Sequence, residues 1–287
     1  MKMNENDLHS LYAQISKHCQ YQALPSFMRG NAELESERYK HFKLCDERLE
    51  FVRKSDVLHD ANSIVEVGAN IGFFALSLAH ENCNILIKTV EAEDTFCEIT
   101  RKIATSYELS NVHVESDFFP FLNGSIQPAA DVAIIFNVIH HGGYEYDQEM
   151  CNTAHDWFDY SQNVMEGLAQ NYKKLVMQIG YNWGGDRKHP IHATSDPVGY
   201  SIKLARMFDA AGWRVVEIGI PVKKAESYDY LPVKIRGRTL EETCEQMINC
   251  EELNACSDFD LSEFFQRPIF ILENTKPSRV TLNLERG

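Results

Sequence analysis

The chain has 287 residues, 44% of them hydrophobic, enough for one large domain with a substantial core. Its 28 Lys and Arg against 42 Asp and Glu leave a formal charge of −14, which argues against nucleic-acid binding and for a small-molecule partner. No run of eighteen apolar residues occurs, and the opening MKMNENDLHSLYAQ lacks a basic start with an apolar stretch behind it. Neither a membrane span nor a secretory leader is therefore expected, and a cytoplasmic location is.

In chain order, the first sixty residues read as an N-terminal helical extension. Arg38, Phe42, Cys45, Leu49 and Val52 recur at three-to-four spacing and share one helical stripe. That stripe is either a helix packed on the body of the protein or a lid that turns Arg38 toward the site. From Asn62 the pattern alternates. Strands are expected over Ser63–Val67, Ile85–Glu91, Asn111–Glu115, Asp131–Phe136, Lys174–Gly180, Trp213–Val222 and Ile269–Glu273. Between them, helices are expected over Ile71–His80, Asp94–Tyr107, Asp147–Tyr172 and Asp196–Ala211. Such alternation predicts an α/β fold: a seven-stranded, mostly parallel sheet flanked by helices, in a domain spanning 61–287.

An insertion over 221–266 interrupts the last two strands. Its stretch Thr239–Phe265 carries eight acidic residues and no Lys or Arg, and reads as a solvated helical excursion or a cover for the pocket. Just before it, Lys234, Arg236 and Arg238 alternate. An extended backbone would point all three to one face, either to grip an anion or as a charged sheet edge. Eight cysteines include no C-x-x-C pair, and the even spacing of Cys244, Cys250 and Cys256 matches no metal-ligand pattern. Free thiols are expected, and no metal.

The segment Glu66-Val67-Gly68-Ala69-Asn70-Ile71-Gly72 joins the first strand to its helix. Gly68 allows the sharp turn after the strand, Gly72 a close approach of the helix start to the strand, and the helix N-terminus offers free N–H groups. A dinucleotide fingerprint would place a second glycine where Asn70 stands, so that a pyrophosphate can approach the backbone. Asn70 crowds that spot and Glu66 adds negative charge. Both features suit a cofactor with a cationic amino-acid end. The segment resembles motif I of the class I S-adenosylmethionine-dependent methyltransferases, (E/D)-x-G-x-x-x-G, and VGANIGFF is similar to the FkbM-type group.

That resemblance implies S-adenosyl-L-methionine as cofactor, with Glu66, Gly68, Asn70 and Gly72 around its amino-acid part. Glu91, at the end of the second strand, is placed to accept hydrogen bonds from both ribose hydroxyls. Asp117 fits the family position that meets the adenine amino group, with Phe118 against the ring. Ile135-Phe136-Asn137-Val138-Ile139-His140-His141 departs from the FkbM-type K-I-D-V-E-G. It is similar instead to the N-V-L-H-H motif of class I small-molecule methyltransferases, which puts Asn137 beside the methionine part.

A hydroxyl acceptor has to lose a proton, and an imidazole of ordinary pKa ~6.5 suits that task. His141 is the first candidate for general base or acceptor positioning and His140 the second; the alternative is that both shape the loop. Tyr181-Asn182-Trp183-Gly184-Gly185-Asp186-Arg187-Lys188-His189-Pro190-Ile191-His192 follows the fifth strand, where loops often meet substrate. Tyr181 and Trp183 are candidate pocket walls. Arg187, Lys188, His189 and His192 are candidates to hold an anionic or polyhydroxylated acceptor; a plain solvated loop is the alternative.

The expected function is methyl transfer from S-adenosylmethionine to a small molecule or sugar, at oxygen, with nitrogen and carbon acceptors left open. Alternatives are a tRNA-modifying methyltransferase and a non-catalytic S-adenosylmethionine-binding protein. A nicotinamide oxidoreductase is disfavoured by Asn70.

Overall fold

Ser63–Val67 (β1) is buried along its whole length, as a strand covered on both faces must be. β2 (Leu86–Glu91) pairs parallel with one side of it, and β3 (Val112–Ser116) with β2. The chain then returns to the other side of β1 as β4 (Ala130–Phe136), followed by a parallel β5 (Tyr172–Gln178). β8 (Ile269–Asn274) lies antiparallel between β5 and β6 (Trp213–Lys223), and β7 (Tyr228–Lys234) runs antiparallel to β6 at the edge. The resulting order is β3-β2-β1-β4-β5-β8-β6-β7. The computed structural model describes residues 22–29, 45–119, 121, 129–223, 228–256 and 263–276.

The expected α/β architecture with a mostly parallel sheet is found, but the sheet has eight strands, not seven. The extra one, β7, falls in the 221–266 insertion, ahead of the stretch read as a helical excursion. Pro232 makes its sequence look unlike a strand; at the edge the missing N–H breaks no ladder bond, so pairing with β6 survives. Lys234 ends this strand with its Nζ 2.8 Å from both Asp56 Oδ2 and Glu217 Oε2. Lys234, the first of the row with Arg236 and Arg238, is thus anchored to the protein's own carboxylates.

Alternation along the strands divides the core into two layers. Ile64, Ile134, Val176 and Ile271 face α1 (Cys45–Lys54), α2 (Phe73–Glu81) and α3 (Asp94–Ser106). Val65, Ala133, Leu175 and Leu272 face α4 (Trp157–Leu168) and α5 (Pro197–Ala210), with α6 (Leu240–Ile248) and α7 (Glu251–Ala255) adding Met247 and Leu253. Helix starts follow their caps. The Asp196 side chain accepts from Gly199 N–H ahead of Pro197, and Thr239 with Glu242 forms a capping box for α6.

The long helix expected over Asp147–Tyr172 is shorter. Asp147 has a positive φ of 51°, and Thr153 Oγ1 bonds Asp156 Oδ2 at 2.7 Å just before α4 begins at Trp157. Of the predicted N-terminal stripe, Cys45, Leu49 and Val52 are buried on α1, while Arg38 and Phe42 lie outside the described residues. Among the described residues no helix is long and apolar enough to cross a membrane.

Candidate active site

The sheet's order reverses between β1 and β4, which opens a crevice beyond their C-terminal ends, the usual ligand position in open α/β sheets. A cleft of about 390 Å³ lies there. Gly68, Asn70, Glu91, Asp117, Phe118, Asn137 and His141 all line it, so four strand ends converge on one space.

The turn after β1 is built by backbone geometry. Gly68 has φ +65°, and a Cβ there would lie 2.5 Å from Val138 Cγ2. Asn70 takes the left-handed region, φ 51°, which Asn tolerates better than most residues. Gly72 caps α2 at φ +76°, where a Cβ would meet Thr100 Cγ2 at 2.6 Å. Its close neighbour is therefore α3, not the strand anticipated from sequence.

Glu66 requires a correction. Side chains alternate along β1, so Glu66 shares the face of Ile64 and lies under α2, outside the cleft lining. It is 3% exposed, and its Oε2 accepts the Ala75 N–H at 2.8 Å, satisfying one of the orphan donors of the helix start. Burial pushes its pKa up to about 8, which does not fit the expected role of a fixed negative charge facing an ammonium.

Glu91 is the carboxylate that meets the turn. Its Oε2 accepts the Asn70 N–H at 2.8 Å and its Oε1 the Glu93 N–H at 3.0 Å. Burial raises its pKa against the pull of those bonds. The turn's N–H thus already serves a carboxylate, which leaves an anionic pyrophosphate both displaced and repelled. Each Glu91 oxygen keeps a lone pair for a diol. Asp117 N–H donates to Glu91 O at 3.0 Å, and Asp117 Oδ1 accepts from Phe118 N–H at 2.8 Å. Phe118, 67% exposed, stands at the rim, with Phe96, Phe119, Phe121 and Tyr146 further in. The Tyr146 ring stacks on Phe121, and its hydroxyl donates to Val138 O at 2.9 Å.

At the other end, Asn137 leaves β4 with φ 59° and its amide fixed from both sides. Nδ2 donates to Gln178 Oε1 at 3.0 Å, and Oδ1 accepts from Arg267 Nη1 at 2.7 Å. Gln178, fully buried, also receives Arg48 Nη1 and donates to Tyr230 Oη and Arg267 O. Arg48 and Arg267 both lie over the Phe264 ring. These supporting residues carry no local sequence signal, because Arg48 and Asn137 each meet a partner 130 positions along the chain.

The paired histidines separate. His140 is 1% exposed, and its Nδ1 accepts the Gly180 N–H at 3.2 Å. Burial, together with His141 and Arg267 nearby, pushes its pKa well down, so it is a neutral structural group and not the base it was a candidate for. His141 lines the cleft, with Glu145 Oε1 2.9 Å from its Nδ1. That contact holds the Glu145 carboxyl below the usual range, although Nδ1 makes no hydrogen bond of good geometry among the described residues. The sequence reading missed Glu145; its only signal is a spacing of four from His141.

The loop after β5 is largely committed to the protein itself. Tyr181 is fully buried against Tyr200 and does not line the cleft. Trp183, 8% exposed, donates from Nε1 to Gly142 O at 2.8 Å and so braces the histidine loop from behind. His192 Nε2 lies 3.0 Å from Asp196 Oδ2 and its ring stacks on Tyr200, at the start of α5. His189 packs edge-on against Trp183. None of the four lines the cleft, nor does Arg187, which is exposed. Arg38 lies outside the described residues, and no group of three metal-ligating side chains occurs among those described.

No protein-family model matches the chain, and no curated protein does. Among solved structures, the chain is similar to StiE O-MT residues 961–1257 at 9% identity and TM-score 0.48, covering 90% of this chain and 85% of that one. It is similar to the magnesium protoporphyrin IX methyltransferase (ChlM) of Synechocystis PCC 6803, solved with bound SAH, at 9% identity and TM-score 0.46, covering 81% and 82%. TrmN of Thermus thermophilus aligns at 10% identity and TM-score 0.43 over 80% of this chain, which spans about half (48%) of its length. Likeness at this level carries nothing about reaction or substrate.

Proposed function

We propose that the protein is a class I S-adenosylmethionine-dependent methyltransferase acting at a hydroxyl of a small molecule. The observation that carries this reading is the engagement of the Asn70 N–H by Glu91 in a cleft whose one end is aromatic and whose other end holds a histidine–carboxylate pair. A cleft of about 390 Å³ is of the size that takes one small cofactor. Phe118, Phe119, Phe121 and Tyr146 suit a nucleobase, Glu91 a ribose diol, and Asn137 with the Gly68 turn an aminoacyl end.

Bound there, S-adenosylmethionine supplies a methyl group on a sulfonium. The residues of the chain deal with the acceptor's proton. With Glu145 beside Nδ1, the His141 imidazole offers its Nε2 to an acceptor hydroxyl and takes that proton as the oxygen gains the methyl. Glu145, 2.9 Å away, steadies the imidazolium that results. Asn137, clamped by Gln178 and Arg267, gives the reacting end a fixed wall.

The test is incubation with methyl-labelled S-adenosylmethionine and a cell extract. Label is expected in a small product with the wild type and not with His141→Ala. Label confined to RNA would replace this reading with a tRNA-modifying one. Cofactor binding without any transfer would reduce the protein to a binding module.

A further inference from the structure

We infer that the acceptor is an anionic hydroxyl compound, bearing a phosphate or carboxylate, and that Arg187 and Lys188 hold its acid group beside His141. This rests on the methyltransferase reading above and names the substrate class of that site.

The loop that carries the two cations is seated on the histidine loop. Trp183 Nε1 donates to Gly142 O, and the Tyr144 ring fills the space a side chain at Gly184 would need, 2.2 Å from a Cβ there. At Gly185 a Cβ would lie 3.7 Å from His141 Cε1. Arg187 follows two residues later, so its Cα is at most about 7 Å from that of Gly185, within reach of a substrate that touches His141.

Both side chains are exposed and make no hydrogen bond or ion pair among the described residues. The side chains of Arg206, Lys223, Arg236 and Arg238 likewise make none, but none of these stands on a loop seated against His141. Elsewhere Arg29, Arg53, Lys88, Lys102, Lys173, Arg214 and Lys234 all have carboxylate partners. The neighbouring Asp186 forms no ion pair with either: its Oδ1 accepts the Lys188 backbone N–H, and its Oδ2 lies toward His189.

The cleft itself cannot supply the counter-charge. Its titratable lining is Glu91, Asp117 and Glu145, with His141 and the Tyr146 hydroxyl, so an acid group is repelled from the cofactor space. Such an acceptor would bind with its acid group on the loop and its hydroxyl at His141. An Arg guanidinium beside a Lys ammonium suits phosphate or carboxylate oxygens.

The experiment incubates the full chain with methyl-labelled S-adenosylmethionine and an extract split by anion exchange at neutral pH. Label is expected in the retained, acidic fraction. Arg187→Ala/Lys188→Ala should raise KM for that fraction at least tenfold with kcat within about twofold, and leave S-adenosylhomocysteine affinity, read by calorimetry, unchanged. Added inorganic phosphate should compete in the wild type and not in the double variant. Label in the unretained fraction, a wild-type KM in the double variant, or no transfer into any fraction by a protein that binds S-adenosylhomocysteine would each overturn the inference. Failure to bind S-adenosylhomocysteine would instead remove the methyltransferase reading on which it stands.

Discussion

His140 is 1% exposed and accepts the Gly180 N–H, whereas His141 lines the cleft with Glu145 2.9 Å from Nδ1. Residue type and adjacency made both candidates for the base; only burial separates them, and burial is set by Gly180 and Arg267 from distant parts of the chain. His141→Ala is expected to lower kcat about 10²-fold or more without weakening S-adenosylhomocysteine, and Glu145→Gln to lower it by a smaller factor, about tenfold. His140→Ala should act on stability instead, by about 1–3 kcal/mol, since it leaves the buried Gly180 N–H without its acceptor. Paired calorimetry and urea denaturation separate the two kinds of effect. At the turn, Gly68→Ala meets both the positive φ and Val138, and is expected to cost about 1–3 kcal/mol and weaken cofactor binding.

At the scale of elements, much of the frame was legible. Periodicity and turn residues located β1 to β6 and the helices α2, α3 and α5 to within a few residues, because each is continuous in sequence and apolar on the faces it buries. β7 was not legible, since Pro232 speaks against a strand unless its edge position is known. Nor was the true start of α4, which depends on side-chain bonds between Thr153 and Asp156. Of the candidate site, the positions at strand ends (Gly68, Glu91, Asp117, Asn137, His141) fall in one cleft because topology gathers strand ends. Glu66 misled because it is one residue out of phase with that face. The edge strand supplies its own prediction: Lys234 is the partner of Glu217, which is 2% exposed. Lys234→Met should cost about 1–2 kcal/mol in urea unfolding, less than for a fully buried pair because the Lys234 side chain is half exposed, and adding Glu217→Gln should recover part of the loss.

For the whole molecule, one buried carboxyl should leave a mark on stability against pH. Glu66 moves from an ordinary 4.5 to about 8 on folding because the core desolvates it. Between those values the folded state binds more protons than the unfolded one. Its contribution is therefore fully present below about pH 4.5 and lost as pH rises through about 8, at about 1.4 kcal/mol per pH unit inside the window. Glu66→Gln should flatten that slope in chemical denaturation at pH 5 to 8; an unchanged slope would mean Glu66 stays ionised beside Arg48.

The central claim is that the crevice between β1 and β4 takes an aminoacyl nucleoside and not a dinucleotide, because Glu91 already holds the Asn70 N–H. Isothermal calorimetry of the full chain against S-adenosylhomocysteine and NAD tests it most directly. The account predicts one S-adenosylhomocysteine per chain, no heat with NAD, and at least tenfold weaker binding in Glu91→Ala. Binding of NAD without S-adenosylhomocysteine would contradict it.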